Sequence, residues 1–235
     1  MVNIKIDGRD VKAKKGSTIL ENAKNLKIEI PTLCYHQDLS PFGACRLCMV
    51  EVKENGKWKI AASCTTPAEE GLEVRTNTEA VKQSRKFAAA MLNYKYPGDK
   101  VIREMAAKLG VSLEKAPVTP KQCILCGLCV RACQEIVDVN ALKFRDRGVN
   151  RNQEEASVEF DPAACIGCGS CAYVCPNAYV EMETTGDKRT IWNKVFKMAP
   201  CSVCGRHFAP VEQLEYISRK TGVPLSKLLV CVSCR

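Results

Sequence analysis

Long apolar runs are missing from this sequence. Its strongly hydrophobic stretches are far too short to cross a bilayer, so direct membrane insertion is not expected and any membrane contact would come through a partner. The N-terminal MVNIKIDGRDVKAKKG has no apolar h-region and no signal cleavage site, which points to a reducing, cytoplasmic location. No G-x-G-x-x-G fingerprint, P-loop or nucleophile motif occurs, so no catalytic residue is expected on the chain. Histidine is scarce at two residues. His36 reads as a loop or surface residue and His207 as a packing residue beside a metal site, neither as a ligand.

Cysteine is what the chain has in excess, with sixteen in 235 residues. Many stand two residues apart, a spacing that suits metal ligation better than disulfides. The formal charge of +9 invites a nucleic-acid reading. Metal-bound thiolates are deprotonated, however, and each four-thiolate iron–sulfur or zinc site carries about −2, so four such sites bring the chain to about +1. The basic residues are also scattered rather than gathered in a stripe. Nucleic-acid binding is therefore set aside.

The densest run lies between Cys123 and Cys175. Its halves read CILCGLCVRAC and CIGCGSCAYVCP, each C-x2-C-x2-C followed by a fourth cysteine three residues on. This is the two-cluster ferredoxin pattern, in which each run lends its fourth thiolate to the other run's cluster. The pattern places one [4Fe-4S] cluster on Cys123, Cys126, Cys129 and Cys175, and another on Cys133, Cys165, Cys168 and Cys171. Proline follows Cys175 as the pattern expects, whereas Gln134 follows Cys133. Ala141 to Phe144 and Val158 to Phe160 are expected to pair as strands around a polar turn. Structural zinc is a poorer reading of a four-cysteine pattern that occurs twice.

Toward the N-terminus, Val2 to Asp7 and Val11 to Lys15 read as a hairpin, with a helix capped by Ser17 or Thr18 running to about Lys24. A loop rich in Pro, Gly and Ser then carries Cys34, Cys45 and Cys48. Residues 49 to 54 and 57 to 62 form a hairpin about Asn55-Gly56, Cys64 follows, and Leu72 to Arg75 is a short strand. This order around four cysteines resembles the plant-type [2Fe-2S] domain with its β-grasp fold. The spacing C-x10-C-x2-C-x15-C, flanked by Pro31 and Gly43, is similar to the N-terminal domain of the large iron–sulfur subunit of complex I. It is equally similar to the diaphorase iron–sulfur subunits of NAD-linked hydrogenases. The resemblance implies a [2Fe-2S] cluster on Cys34, Cys45, Cys48 and Cys64. Four buried structural cysteines would leave the C-x2-C and the glycine-bearing loop unexplained.

Residues 78 to 95, capped by Thr78, place Val81, Phe87, Ala88, Met91 and Leu92 at helical spacing, and Val101 to Leu109 form a second amphipathic segment ended by Gly110. In the resembled family this interval often carries a further [4Fe-4S] cluster held by one histidine and three cysteines. Residues 78–118 have neither residue type, so a helical connector is expected, whose apolar face could be half of a subunit contact.

The last segment holds Cys201-x2-Cys204 and Cys231-x2-Cys234, two knuckles around a helix opened by Pro210. Four thiolates in a segment too small for its own core suit a structural zinc, with a further iron–sulfur cluster or a single rubredoxin-like iron as alternatives.

An α+β chain follows: a [2Fe-2S] β-grasp domain (1–77), a helical connector (78–118), a two-[4Fe-4S] ferredoxin domain (119–190) and a zinc-ribbon-like module (191–235). The resemblance implies a non-catalytic electron-transfer subunit. Its partners would be a flavin-bearing NAD(P)H-oxidising subunit and a second redox subunit or soluble ferredoxin, in a hydrogenase, formate dehydrogenase or electron-bifurcating transhydrogenase. Two other readings are an iron–sulfur subunit of a succinate or fumarate oxidoreductase, whose first cysteine gap is usually short and which lacks the last knuckles, and a metal-stapled interaction or nucleic-acid-binding protein.

Overall fold

The computed structural model describes residues 1–113, 121–146 and 156–235, which divide into two compact units, 1–127 and 128–235. The expected polar turn between the strands near 144 and 158, and Pro120 ahead of the first cysteine run, lie outside the described residues.

In the first unit, β1 (Val2–Ile6) and β2 (Arg9–Ala13) form the first hairpin. The second joins β3 (Met49–Glu54) to β4 (Lys57–Ala62) through Asn55 and Gly56 at φ 50 and 76. Positive φ at both positions gives the turn whose twist matches the strands. β5 (Glu73–Arg75) completes a mixed sheet of order β2-β1-β5-β3-β4, parallel to β1 and antiparallel to β3. Thr76 ties its end to Asp7, the hydroxyl and the backbone N–H each donating to the carboxylate at 2.5 and 2.7 Å.

Helix α1 (Ile19–Asn25) packs on this sheet and starts with a full capping box. Thr18 Oγ1 accepts from the Glu21 N–H, and Glu21 accepts from the Thr18 N–H, a pairing worth about 1 kcal/mol. Ile19 and Leu20 are fully buried with Ile4, Ile6, Val50 and Val74. Each such aliphatic contributes roughly 1.5–3 kcal/mol by leaving water. This is the ferredoxin-like arrangement expected.

Two helices follow, α2 (Glu79–Lys95) and α3 (Lys100–Lys108), with Thr78 and Asp99 accepting from N–H groups of their first turns. The buried arc of α2 differs from the expected one. Val81, Arg85 and Ala89 face inward, whereas Phe87 and Met91 are 69% and 53% exposed. The arc is drawn round to Arg85, whose Nε donates to the Met49 carbonyl at 2.9 Å.

The second unit opens with α4 (Leu128–Arg131), continued by a π-helical turn, Ala132–Ile136. β6 (Leu142–Arg145) and β7 (Ser157–Phe160) pair antiparallel, as expected. After the short helix α5 (Ser170–Tyr173), a sheet of order β11-β10-β9-β8 forms from β8 (Met182–Thr185), β9 (Lys188–Ile191), β10 (Lys194–Pro200) and β11 (His207–Pro210). The sheet is continuous across residue 190, because β10 pairs with both β9 and β11.

Helix α6 (Val211–Thr221) starts after Pro210 and ends at Gly222, and α7 (Leu225–Leu228) leads to the last knuckle. Tyr216 on α6 donates its hydroxyl to the carbonyls of Val137 and Asp138 at 3.1 and 3.0 Å, and Lys220 pairs with Asp138 at 2.8 Å. Among the described residues no helix is long and apolar enough to cross a membrane.

Candidate metal centres

The first cysteine loop leaves α1 and returns into β3, an inner strand of the sheet, so its three cysteines stand ahead of β3 while Cys64 follows β4. The folded loop gathers the sulfurs in pairs. Cys34 and Cys45 are 3.4 Å apart, Cys48 and Cys64 3.3 Å apart. Two thiolates on one tetrahedral metal, each ~2.3 Å from it, stand roughly 3.7 Å apart, so each pair fits one iron of a two-iron centre. All four are buried.

Electrostatics also divides them two by two. Within each pair a shared hydrogen bond makes one sulfur the acid, pulling Cys45 and Cys48 down to about 6 and pushing Cys34 and Cys64 up. The N–H groups of Leu47 and Leu33 support the Cys45 thiolate and the Cys64 N–H that of Cys48, while the Ser63 hydroxyl donates to the Cys48 carbonyl at 2.8 Å. Backbone amides turned toward the sulfurs are what an anionic centre needs.

Arg85 was not foreseen near this site. Its guanidinium is buried, and burial lowers its pKa while Cys48 and then Asp7 act to raise it. Nη2 makes no hydrogen bond among the described residues. His36 lies in the loop, 3.6 Å from Asp38, outside both sulfur pairs.

Cys34 and Cys45 also belong to a hydrophobic cluster with Leu47, Ala89, Tyr96, Ile102, Ala106 and Ile124, against which Cys126 packs. The connector helices thus join the first cysteine loop to the start of the first run through unbroken apolar contact. Tyr96, in the same cluster, has its phenol pushed up to about 12 by burial and then by Cys123 and Cys126.

In the second unit Cys133, Cys165, Cys168 and Cys171 line one cavity, closed by Val137, Leu142, Phe160, Ile191 and Trp192. Burial raises the pKa of Cys133, Cys165 and Cys171, the last to about 11. Opposing this, N–H groups of Ala141 and Leu142 act on Cys133, that of Gly167 on Cys165, and the nearby Trp192 indole, short of hydrogen-bond geometry, on Cys171. An apolar cavity with four sulfurs and inward amides is chemically fitted to a thiolate-bound iron cluster. Cys129 and Cys171 share an apolar cluster with Val130 and Leu142, and Cys175 lies 3.3 Å from Asn177 Oδ1.

The β9–β10 hairpin supports this cavity, a part for which the sequence reading had no role. Arg189 donates to the Gly167 carbonyl at 3.1 Å, and Lys194 to those of Pro162 and Cys165 at 2.7 and 3.0 Å. These bonds hold the second cysteine loop by its backbone. A tryptophan, one of two in the chain, beside an asparagine between alternating segments was the available signal.

At the C-terminus the sulfurs of Cys201, Cys204, Cys231 and Cys234 all lie within 4.8 Å of one another, a set able to hold a metal ion. The Cys231 N–H donates to Cys201 Sγ at 3.3 Å, and this with the Cys204 N–H draws Cys201 down to about 6. The Arg206 guanidinium, 3.4 Å from Cys231 Sγ, lowers the pKa of that thiol, while hydrogen bonding with Cys204 and Cys231 pushes Cys234 up to about 12. His207 is exposed on β11 and is outside this set.

Comparisons with known proteins agree with this anatomy. Residues 1–79 match the 2Fe-2S iron-sulfur cluster binding domain and residues 122–179 the 4Fe-4S dicluster domain. The NADPH-Fe(3+) oxidoreductase subunit alpha of Geobacter sulfurreducens is 31% identical over 95% of this chain and 28% of its own length. An NADH-quinone oxidoreductase subunit of Rhizobium meliloti is 29% identical over 87% of the chain and 27% of its own. The chain thus spans little more than a quarter of these curated relatives. Among solved structures, a chain of an NAD+-reducing [NiFe]-hydrogenase in the H2-reduced state aligns at 30% identity and a TM-score of 0.55, covering 69% of this chain and 76% of that one.

Proposed function

The chain belongs to the family of iron–sulfur electron-transfer subunits of NAD(P)H oxidoreductases and NAD+-reducing hydrogenases, and from that premise we propose that it relays single electrons from or to a flavin-bearing NAD(P)H-oxidising subunit. The other terminus is a second redox subunit or a ferredoxin. The complex is a cytoplasmic hydrogenase, formate dehydrogenase or electron-bifurcating transhydrogenase, whose flavin and substrate chemistry lie outside residues 1–235.

Cys34, Cys45, Cys48 and Cys64 hold a [2Fe-2S] cluster. Cys123, Cys126, Cys129 and Cys175 hold one [4Fe-4S] cluster, and Cys133, Cys165, Cys168 and Cys171 the other. When bound, iron–sulfur clusters supply a reversible one-electron change whose potential follows the charge, hydrogen bonds and solvent exposure around the sulfurs. The residues of the chain set those conditions. Leu47, Cys64 and Gly167 aim backbone N–H groups at sulfur, Arg85 places a cation beside Cys48, and apolar residues line the second cavity.

The last four cysteines hold a structural zinc in a ribbon-like module. Sulfurs all within 4.8 Å of one another suit a single tetrahedral ion rather than a cluster whose irons hold their thiolates farther apart. The functional division into 1–77, 78–118, 119–190 and 191–235 is retained, with β10 as the strand shared by the last two parts.

One observation carries the relay: the apolar cluster that takes in Cys34, Cys45 and Cys126. It places the first cysteine loop and the opening of the first run against one apolar cluster. Anaerobic co-purification with native partners, followed by metal analysis, tests this reading. About ten irons and one zinc per chain, with a flavin-containing partner, are expected. About fourteen irons without zinc would turn the last site into a further cluster, and an iron-free chain would remove the relay.

A further inference from the structure

The turn between β9 and β10 is two residues long, Trp192 and Asn193, at φ 52 and 63. Both central positions of such a turn call for positive φ, which suits asparagine and glycine. A bulky residue there is an outlier, costing on the order of 1–2 kcal/mol. Trp192 is nevertheless held from two sides. Its ring stacks on Phe160 at 5.9 Å and 15°, and Tyr179 meets it edge-on at 6.4 Å and 72°.

The polar end of this fixed ring is unsatisfied. Nε1 is buried and makes no hydrogen bond of ordinary geometry among the described residues. An unmet buried donor costs about 1–3 kcal/mol, in addition to the backbone strain. The same side chain lines the cavity of Cys133, Cys165, Cys168 and Cys171, and of these sulfurs it shares both neighbouring apolar clusters with that of Cys171. A strained residue, locked in orientation, with its buried donor among thiols, is a position built for a sulfur that becomes a full acceptor when it binds metal as a thiolate.

We propose that Trp192 is a potential-setting residue, its Nε1–H donating to the Cys171 sulfur once that sulfur is an iron-bound thiolate. The inference rests on the reading that Cys133, Cys165, Cys168 and Cys171 hold one [4Fe-4S] cluster. A donor at a ligand sulfur withdraws negative charge and favours the reduced state, so it raises the potential of that cluster relative to its partner. The hairpin then has two roles on one loop. Arg189 and Lys194 fix its backbone, and Trp192 tunes its sulfur.

The test uses the full chain, purified anaerobically, as wild type and as Trp192→Phe, which keeps an aromatic ring and deletes the donor. The reading is a redox titration followed by electron paramagnetic resonance, with iron content measured on the same samples. The variant is expected to keep its iron and to lower the midpoint of one [4Fe-4S] cluster by about tenfold in the reduction equilibrium, ~59 mV for one electron. Full iron with both midpoints unchanged would overturn the proposal.

Should Trp192→Phe lose iron, 15N-indole labelling in a Trp58→Phe background decides. A nitrogen coupling to a reduced cluster supports the proposal, and its absence overturns it. Cys133→Ser is the separate check on the premise. Retention of both [4Fe-4S] clusters in that variant would contradict the cluster assignment, and the proposal would fall with it.

Discussion

The backbone of Gly167 runs against the ring of Phe196, so closely that a Cβ on Gly167 would lie 2.7 Å from Phe196 Cγ. Gly167 stands between Cys165 and Cys168 at φ 72, and Phe196, on β10, is fully buried. The second cysteine loop is thereby seated on a strand that follows it by some thirty residues.

Gly167→Ala meets both constraints at once. Left-handed backbone costs a non-glycine residue about 1–2 kcal/mol, and overpacking adds roughly 1–3 kcal/mol. We expect a lower melting temperature and loss of up to about four irons per chain, read by thermal unfolding and iron analysis under anaerobic conditions. Wild-type iron content with an unchanged melting temperature would show that the seat does not matter.

Arg85 bears on the other end of the chain's electron path. A cation beside Cys48 favours the more negative, reduced form of a centre there, so Arg85→Leu should lower the [2Fe-2S] midpoint, and Arg85→Lys should recover part of the difference. Leaving the Met49 carbonyl without its donor adds about 1–3 kcal/mol of instability. A redox titration of the three proteins checks the order. Equal midpoints would remove Arg85 from the electron path.

The ligand sets of the two cysteine runs make opposite forecasts for two serine variants. Cys175→Ser should damage the cluster of Cys123, Cys126 and Cys129, whereas Cys133→Ser should damage that of Cys165, Cys168 and Cys171. Mössbauer or paramagnetic resonance spectra of the two variants should therefore lose different [4Fe-4S] signals. Loss of the same signal in both would contradict the crossed sets.

At the C-terminus, Cys201→Ser should release one zinc and leave about ten irons in place. Tyr216→Phe keeps the metal but removes the one hydroxyl proton shared between the Val137 and Asp138 carbonyls, worth roughly 0.5–1.5 kcal/mol. Metal analysis checks the first outcome and thermal unfolding the second.

Much of this was legible in the sequence because the signals are local. Thr18 and Glu21 stand at capping-box spacing, Asn55-Gly56 names its own turn, and paired cysteines advertise a metal. What escaped was set by tertiary contact. Arg85 looks like a surface residue until the Met49 carbonyl turns it inward, and Phe87 and Met91 then rotate out. Strand β10 alternates, with Phe196 and Met198 buried and Val195 and Lys197 exposed, but nothing local to it names the loop around Gly167 as what it supports. Trp192 is strained where it stands, and local preference would have placed a smaller residue there.

The central claim is that one chain carries three one-electron centres in series. Coulometric reduction of the anaerobically purified protein, followed by spectroscopy at each step, tests it most directly. About three electrons should be taken up per chain, one by a centre of [2Fe-2S] type and two by centres of [4Fe-4S] type. Uptake of no electrons by protein that retains its metal would contradict the claim.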